Sequence, residues 1–143
     1  IVNAGVTENA QKHHILIVDD SSVARKQIKR CMEQVGFATT VLCDGREALT
    51  YLQNMVAEGK DVTKEFSMVI SDIEMPEMDG YTLTTSIRND SRLQDLFILL
   101  HTSLSGVFNE SMVKKVGADG FLAKFQPDEL ARLAIETVQV QSE

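Results

Sequence analysis

Cysteine is scarce in this chain, and its placement excludes a disulfide framework and a zinc site. The two cysteines, Cys31 and Cys43, form neither a Cys-x-x-Cys pair nor a cysteine–histidine ligand pattern. We interpret both as small buried hydrophobic residues in a reducing compartment. This interpretation predicts a cytoplasmic protein.

Positive charge and long apolar runs are also in short supply. The chain has 14 lysine and arginine residues against 21 aspartate and glutamate residues, a net charge of −7. That balance argues against a general nucleic-acid or anionic-membrane surface, which needs clustered basic residues. No apolar run approaches the roughly 20 residues that span a bilayer, so we expect no membrane insertion.

The 143 residues are enough for one domain, and 43% of them are hydrophobic, enough for a sizeable core. Residues 1–13 show no sustained hydrophobic period and are interpreted as a linker or disordered arm, which leaves residues 14–143 as the domain. No signal peptide is visible. Because the chain begins at Ile1 rather than Met, we interpret it as a fragment or a processed chain, which leaves room for an N-terminal domain before it.

Short apolar runs alternate with helical patterns along the domain. Several helix boundaries are marked: Asp44 with Glu47 resembles a capping box, Asp79 is a predicted N-cap, and Gly36 is a predicted C-terminal stop. The predicted strands are 15–18, 37–42, 66–71, 96–101 and 120–123. The remaining predictions are a loop from Glu58 to Glu65, a fourth helix starting at Ser105 or Gly106 and ending at Gly117, and Pro127 as the first residue of the last helix. Five strand–helix pairs predict an α/β fold, a doubly wound parallel sheet with five helices.

Polar residues follow four of the five predicted strands. They are Asp19 and Asp20 after the first strand, Asp72 after the third, Thr102 and Ser103 after the fourth, and Lys124 after the fifth. The carboxyl ends of parallel strands share one edge, so these groups should converge. Three clustered carboxylates need a cation, and Mg²⁺ fits them while leaving room for a phosphoryl oxygen. One carboxylate can then act as the nucleophile, with Lys124 and Thr102 stabilising the phosphoryl group.

Three segments resemble response-regulator receiver domains: Ile15 to Ser21, Ser71 to Gly80, and Thr102-Ser103 with Lys124. The resemblance implies a flavodoxin-like sheet in the order 2-1-3-4-5 and a histidine kinase as phosphodonor. It makes Asp72 the phosphoacceptor, with Thr102 and Lys124 as its catalytic partners. It also implies Mg²⁺, or Mn²⁺ in its place, held by Asp20 directly, Asp19 through water, Asp72, and the main-chain carbonyl of Glu74.

Four positions bear on how such a receiver would switch and keep its phosphoryl group. The resemblance implies that Thr102 and Phe121 form the switch pair, although Phe121 lacks the hydroxyl of a tyrosine. Phe125 follows Lys124, where most receivers carry proline. Leu104, two residues after Thr102, is predicted to shield the phosphoryl group from water.

Residues 100–106 and 124–130 resemble the receiver half of the CheV family of chemotaxis coupling proteins. That resemblance implies a chemotaxis-type histidine kinase as partner and a preceding CheW-like domain that reaches chemoreceptors. The alternatives are a stand-alone or other response-regulator receiver, a Mg²⁺-dependent aspartate-nucleophile phosphatase, and a flavin-binding electron carrier. The Asp-x-Asp-x-Thr motif of such phosphatases is absent from this sequence. Against the flavin carrier, the Asp19-Asp20 pair would repel a flavin phosphate. With no basic DNA-binding domain in the chain, we expect no nucleic-acid partner.

Overall fold

The computed structural model of the protein describes residues 13–103, 108–124 and 126–142. In that part of the chain, five strands alternate with helices. The strands are β1 (His14–Val18), β2 (Ala38–Leu42), β3 (Met68–Ser71), β4 (Ile98–Thr102) and β5 (Gly120–Ala123). The helices are α1 (Ser22–Gln34), α2 (Gly45–Ala57), α3 (Val62–Glu65), α4 (Gly80–Arg88), α5 (Glu110–Val116) and α6 (Pro127–Ser142). The strands are all parallel and lie in the order β2-β1-β3-β4-β5, which confirms the predicted fold and strand order.

The central strands β1, β3 and β4 are mostly apolar because both faces of the sheet are covered. On β1, Leu16 and Val18 pack into a core with residues of α2, α4 and α5, while Ile15 and Ile17 pack into a second core with α1 and α6. Alternate residues of a strand point to opposite faces, so a strand between two helical layers cannot show a polar side. This explains the continuous run of apolar residues in β1.

The predicted helix boundaries at Asp44 and Asp79 are confirmed. The Asp44 carboxylate accepts a hydrogen bond from the Glu47 N–H (2.9 Å), and the Glu47 carboxylate accepts one from the Cys43 N–H (2.7 Å). Asp79 accepts from the Thr82 N–H at 2.7 Å. The helix ends also agree with the prediction, since Gly36 and Gly117 have positive φ angles and Pro127 begins α6.

The expectation of five helices is wrong by one, because the predicted loop from Glu58 to Glu65 contains the single-turn helix α3. Asp61 caps this turn by accepting from the Thr63 N–H, and Val62 is fully buried. Four residues are too few to show a 3.6-residue period, so no pattern could reveal the helix.

Two predicted boundaries around β4 are also wrong. The strand runs to Thr102 instead of ending before it, and α5 begins at Glu110 after the N-cap Asn109. Ser105 and Gly106, the predicted starting points of that helix, lie outside the described residues. Asn109 accepts a hydrogen bond from the Ser111 N–H, which makes it the better cap.

The interpretation of both cysteines as buried is wrong for Cys43, which is exposed where β2 ends at the edge of the sheet, whereas Cys31 is buried. Residues 1–12 of the predicted arm lie outside the described residues. His13, the last residue of that arm, hydrogen bonds to the domain through Ser67 Oγ (2.6 Å) and the Ala38 N–H (3.1 Å). None of the helices described is long and apolar enough to cross a membrane.

Candidate functional site

The predicted polar residues do converge at the carboxyl edge of the sheet. Oxygen atoms of Asp19, Asp20 and Asp72 all lie within 4.8 Å of one another. The Lys124 Nζ lies 3.0 Å from Asp19 Oδ2 and 3.3 Å from Asp72 Oδ1. Backbone hydrogen bonds continue the strand pairing to these residues: Asp72 N–H donates to the Val18 carbonyl and Lys124 N–H to the Thr102 carbonyl, both at 2.8 Å.

Asp72 is held in one orientation. Its Oδ1 accepts a hydrogen bond from the Ile73 N–H (2.8 Å), and its main-chain carbonyl accepts from the buried Ser71 hydroxyl (2.8 Å). Within the described residues no hydrogen bond engages Oδ2. The carboxylate is only 6% exposed, so its Oδ2 is a positioned and weakly solvated oxygen.

Asp19 and Asp20 are adjacent in sequence but occupy different environments. Asp19 is fully buried, its Oδ1 accepts from the Ser21 N–H (2.9 Å), and its main-chain carbonyl accepts from the Arg25 guanidinium (2.8 Å). Asp20 is exposed, and it makes no hydrogen bond or ion pair with any described residue. Asp19 is therefore fixed by the protein, while both oxygens of Asp20 are available to a ligand.

Burial and like charge raise the pKa of Asp72. Desolvation is the larger cause and the Asp19 carboxylate the second, and together they outweigh Lys124 and raise the pKa of Asp72 to about 6. Burial alone would lower the pKa of Lys124, but the close contact and charge of Asp19, followed by those of Asp72, raise it. The lysine is therefore firmly protonated, and Asp72 is mostly ionised at neutral pH.

The donor set fits a hard divalent cation. Three carboxylates can each offer an oxygen, and Asp19 Oδ2 is a buried oxygen that accepts no aligned hydrogen bond, its contact with Lys124 being an ion pair only. A group of carboxylate oxygens with one exposed side is typical of Mg²⁺ sites, where water completes the shell. Glu74 is exposed and its carboxylate is not part of this group, so the role of its main-chain carbonyl stays a prediction.

The loop after Asp72 is shaped by close backbone contacts. The Gly80 N–H donates to the Ile73 carbonyl (2.7 Å), and a Cβ at Gly80 would lie 2.2 Å from the Asp72 carbonyl oxygen. A Cβ at Gly45 would lie 2.5 Å from the carbonyl oxygen of Met78. Glycine at both positions lets the loop fold against Asp72 and the start of α2.

The predicted switch residues lie beside this pocket. Thr102 is buried at the end of β4, and Phe121 is on β5, opposite Leu100 and two pairs before the Thr102–Ala123 pair. The Phe121 ring packs on Phe108 with a centroid separation of 5.0 Å, a contact that sequence reasoning missed. Leu104 and Phe125 lie outside the described residues.

Sequence reasoning also missed Arg25 and His101. Arg25 donates to the main-chain carbonyl of Asp19 and not to a carboxylate. A contact to the main chain leaves no pattern of paired charges in the sequence, so it could not be predicted. His101 is 5% exposed with no hydrogen-bond partner for Nδ1 in the described part of the chain. Burial, followed by the charge of Lys124, lowers the pKa of His101 to about 4, so the imidazole is neutral.

Comparison with known proteins agrees with this geometry. Residues 15–135 match the model of the response regulator receiver domain family. The chain is 32% identical over 115 residues to the chemotaxis protein CheV3 of Helicobacter pylori, covering 80% of this chain and 37% of that protein. It is also 32% identical over 124 residues to the probable transcriptional regulator ycf27 of Cyanidium caldarium, covering 86% and 45%. The chain thus spans less than half the length of these two relatives.

A solved structure gives the same result for the fold. The chemotaxis response regulator CheY4 of Vibrio cholerae superposes with a TM-score of 0.71 at 29% identity, covering 87% of this chain and 98% of that one. The family match extends over all five strands and every residue of the acidic pocket. The chain belongs to the response regulator receiver domain family of two-component signalling.

Proposed function

We propose that this domain takes a phosphoryl group from a histidine kinase onto Asp72. One observation carries the proposal: Asp72 Oδ2 is unengaged in a buried carboxylate whose other oxygen is fixed by the Ile73 N–H and the nearby Lys124. Asp19 is buried with Oδ1 bonded to the Ser21 N–H and Oδ2 paired with Lys124, and Asp20 is exposed. Of the three carboxylates, Asp72 is therefore the one that combines burial with an oxygen that no described residue engages.

The step is a displacement at phosphorus. Oδ2 of Asp72 attacks the phosphorus of phosphohistidine, the O–P bond forms and the P–N bond breaks, and the electron pair of that bond leaves with the imidazole of the kinase. The product is an acyl phosphate. Lys124 exchanges its contact with Asp72 for a phosphoryl oxygen, and the Thr102 hydroxyl donates to another. Both contacts stabilise the negative charge on the phosphoryl oxygens during transfer.

Asp19, Asp20 and Asp72 are the residues that would hold Mg²⁺, or Mn²⁺ in its place, with the Glu74 carbonyl as a further ligand. The ion supplies positive charge that offsets the three carboxylates against an incoming anion. Asp20 binds it directly, because its oxygens are uncommitted. Asp19 acts through water and through Lys124, to which it is already paired.

The switch is proposed to run from Thr102 to Phe121. When Thr102 turns toward the phosphoryl group, it vacates space at the end of β4, and the Phe121 ring can move inward from its contact with Phe108. No buried hydroxyl has to be satisfied in that move, since phenylalanine has none. The surface formed by α5, β5 and α6 would carry the change.

The first prediction tests the acceptor. Asp72→Asn should lower incorporation of labelled phosphate from acetyl phosphate and Mg²⁺ at least about 100-fold, because the amide is a poor nucleophile. Asp95→Asn provides the matched control, since it makes the same change at an exposed carboxylate outside the cluster and should leave incorporation unchanged. Full incorporation by Asp72→Asn would place the phosphoryl group elsewhere.

We further propose that the domain serves chemotaxis as the receiver part of a CheV-type coupling protein in the cytoplasm, with a CheW-like domain before it reaching chemoreceptors. The similarity to CheV3 supports this, together with the CheV-like segments 100–106 and 124–130. The test compares initial phosphotransfer rates from a chemotaxis-type kinase and from a kinase that serves a transcriptional regulator. A preference for the chemotaxis kinase supports the role, and equal rates or the reverse preference contradict it.

A further inference from the structure

A cavity of about 450 Å³ lies between α1 and α6, and Lys124 is one of its lining residues. Its walls are mostly apolar, formed by buried Ala24, Ile28 and Leu130 together with Pro127. The buried Cys31 thiol closes one wall and donates to the Pro127 carbonyl at 3.3 Å. This volume is within the range of small-molecule sites, which are typically about 300–1,000 Å³.

The charged residues of the cavity's described lining are all basic, while the acidic Asp128 lies close enough for its charge to act on Cys31. Lys26, Arg30 and Lys124 contribute to its described lining, and no acidic residue does, in a chain whose net charge is −7. Lys26 and Arg30 are exposed and form no ion pair with any described residue. On the same helix Lys29, outside the lining, is paired with Glu33 at 3.0 Å. The two unpaired cations thus face the cavity, and the paired one does not.

A buried polar group also lines the cavity. His101 projects from β4 toward α1 and α6, and it is 95% buried with no hydrogen-bond partner for Nδ1 in the described residues. Leaving such a nitrogen unsatisfied is costly unless a ligand or water satisfies it. The neutral state of this imidazole, which follows from its lowered pKa of about 4, lets it either donate or accept.

We propose that this cavity binds a small amphipathic anion, a carboxylate or phosphate head on an apolar body. The body packs against Ile28 and Leu130, the head lies between the unpaired cations of Lys26 and Arg30, and His101 hydrogen bonds to a polar atom of the ligand. A purely apolar molecule would leave the cations and the imidazole unused. A simple inorganic anion would leave the apolar walls exposed.

The test uses octanoate as the probe, with octanol and inorganic phosphate as the two half-molecules. An amide NMR titration of the unphosphorylated domain without divalent metal keeps this test independent of the phosphoacceptor proposal. We expect saturable shifts in α1, α6 and His101 with octanoate, and binding at least about fivefold weaker for octanol and phosphate. Equal affinity for octanol, shifts elsewhere, or no saturable shift at millimolar octanoate would overturn the proposal.

Variants of α1 distinguish the effect of the two lining cations from the effect of any positive charge on this helix. Lys26→Gln with Arg30→Gln should weaken octanoate about tenfold. Lys29→Gln removes one positive charge, where the lining variant removes two, from the same helix outside the lining, and it should change affinity less than about twofold. His101→Phe replaces the imidazole with a larger apolar ring and removes both nitrogens, so it should also weaken binding about tenfold, with the amide NMR spectrum of the free variant checking that it is folded. An equal effect of Lys29→Gln, or no effect of either lining variant, contradicts the site.

Discussion

Lys124 is close to two buried polar groups, the carboxylates of Asp19 and Asp72 and the imidazole of His101. Burial raises the pKa of Asp72 and lowers the pKa of His101. On one side Asp19 and Asp72 remain close to its ammonium, at 3.0 and 3.3 Å, and are compensated by it. On the other side His101 is equally buried, and the same positive charge helps to keep it neutral. One cation therefore maintains charge where an acid is buried and suppresses charge where a base is buried.

The difference separates the chemistry of the two sides. A carboxylate that stays ionised but poorly solvated can attack phosphorus, and one exposed neighbour, Asp20, leaves a path for a cation. The neutral imidazole of His101 lies beside apolar walls, and its lowered pKa makes it a weak base. It is therefore better suited to hydrogen bonding with a ligand than to proton transfer. Substitutions at the shared lysine and on each side of it test this difference.

Removing the shared cation should have the largest effect on stability. Lys124→Met leaves Asp19 and Asp72 buried without compensation, so the free energy of unfolding at pH 7.5 should fall by about 3–5 kcal/mol. Part of that loss should return toward pH 5, because the pKa of Asp72, already raised, rises further and protonation then favours the folded state. Urea unfolding at both pH values measures this.

Lys29→Met is the control for that variant. It breaks an exposed ion pair with Glu33 and should cost less than about 1 kcal/mol at either pH. A loss for Lys124→Met no larger than the control would mean that the lysine does not compensate the carboxylates.

His101 should make the domain less stable in acid. Its pKa is about 4 in the folded state against 6.5 ordinarily, so the unfolded chain takes up a proton first as the pH falls. The free energy of unfolding should therefore decrease between pH 6.5 and 4, by up to about 3 kcal/mol. Asp72 acts in the opposite direction over this window, since its pKa is raised, and must be removed from the measurement.

The comparison is accordingly made in an Asp72→Asn background. Adding His101→Phe should abolish the decrease between pH 6.5 and 4 and leave a flatter stability profile. Parallel profiles for the single and double variants would show that His101 titrates normally or not at all.

Sequence patterns located most of this architecture because local rules determine it. Apolar runs between two helical layers identify buried strands, and Asp44 and Asp79 mark helix starts by their own hydrogen bonds. Strand ends in a parallel sheet share one edge, so Asp19, Asp72 and Lys124 could be grouped without knowing any distance.

What escaped prediction depends on tertiary position. No local signal distinguishes the fully buried Asp19 from the exposed Asp20, because the turn after β1 decides which one faces inward. The burial of His101 requires α1 and α6 to cover that face of β4. Cys43 looked like a core residue, but β2 is an edge strand and leaves it exposed.

Folding stability should depend on close backbone packing beside Asp72 more than it does on edge strand β5. Gly80→Ala places a Cβ 2.2 Å from the Asp72 carbonyl oxygen, so the loop must move and the domain should lose about 1–3 kcal/mol of stability. Gly120→Ala is the control, because its Cβ would meet only Leu99 at 3.7 Å. Equal losses in thermal or urea unfolding would remove the close approach as the cause.

The smallest effect concerns the two adjacent aspartates. Asp20→Ala should weaken Mg²⁺ binding about tenfold, or about 1.4 kcal/mol, because it removes a carboxylate with both oxygens uncommitted. Asp19→Ala should weaken it less, since Asp19 Oδ1 accepts from Ser21 and Oδ2 is paired with Lys124. The same change should cost more folding stability, because Lys124 then loses its nearest partner. Isothermal titration with Mg²⁺ beside urea unfolding separates the two roles, and the reverse order of metal affinities would make Asp19 the direct ligand.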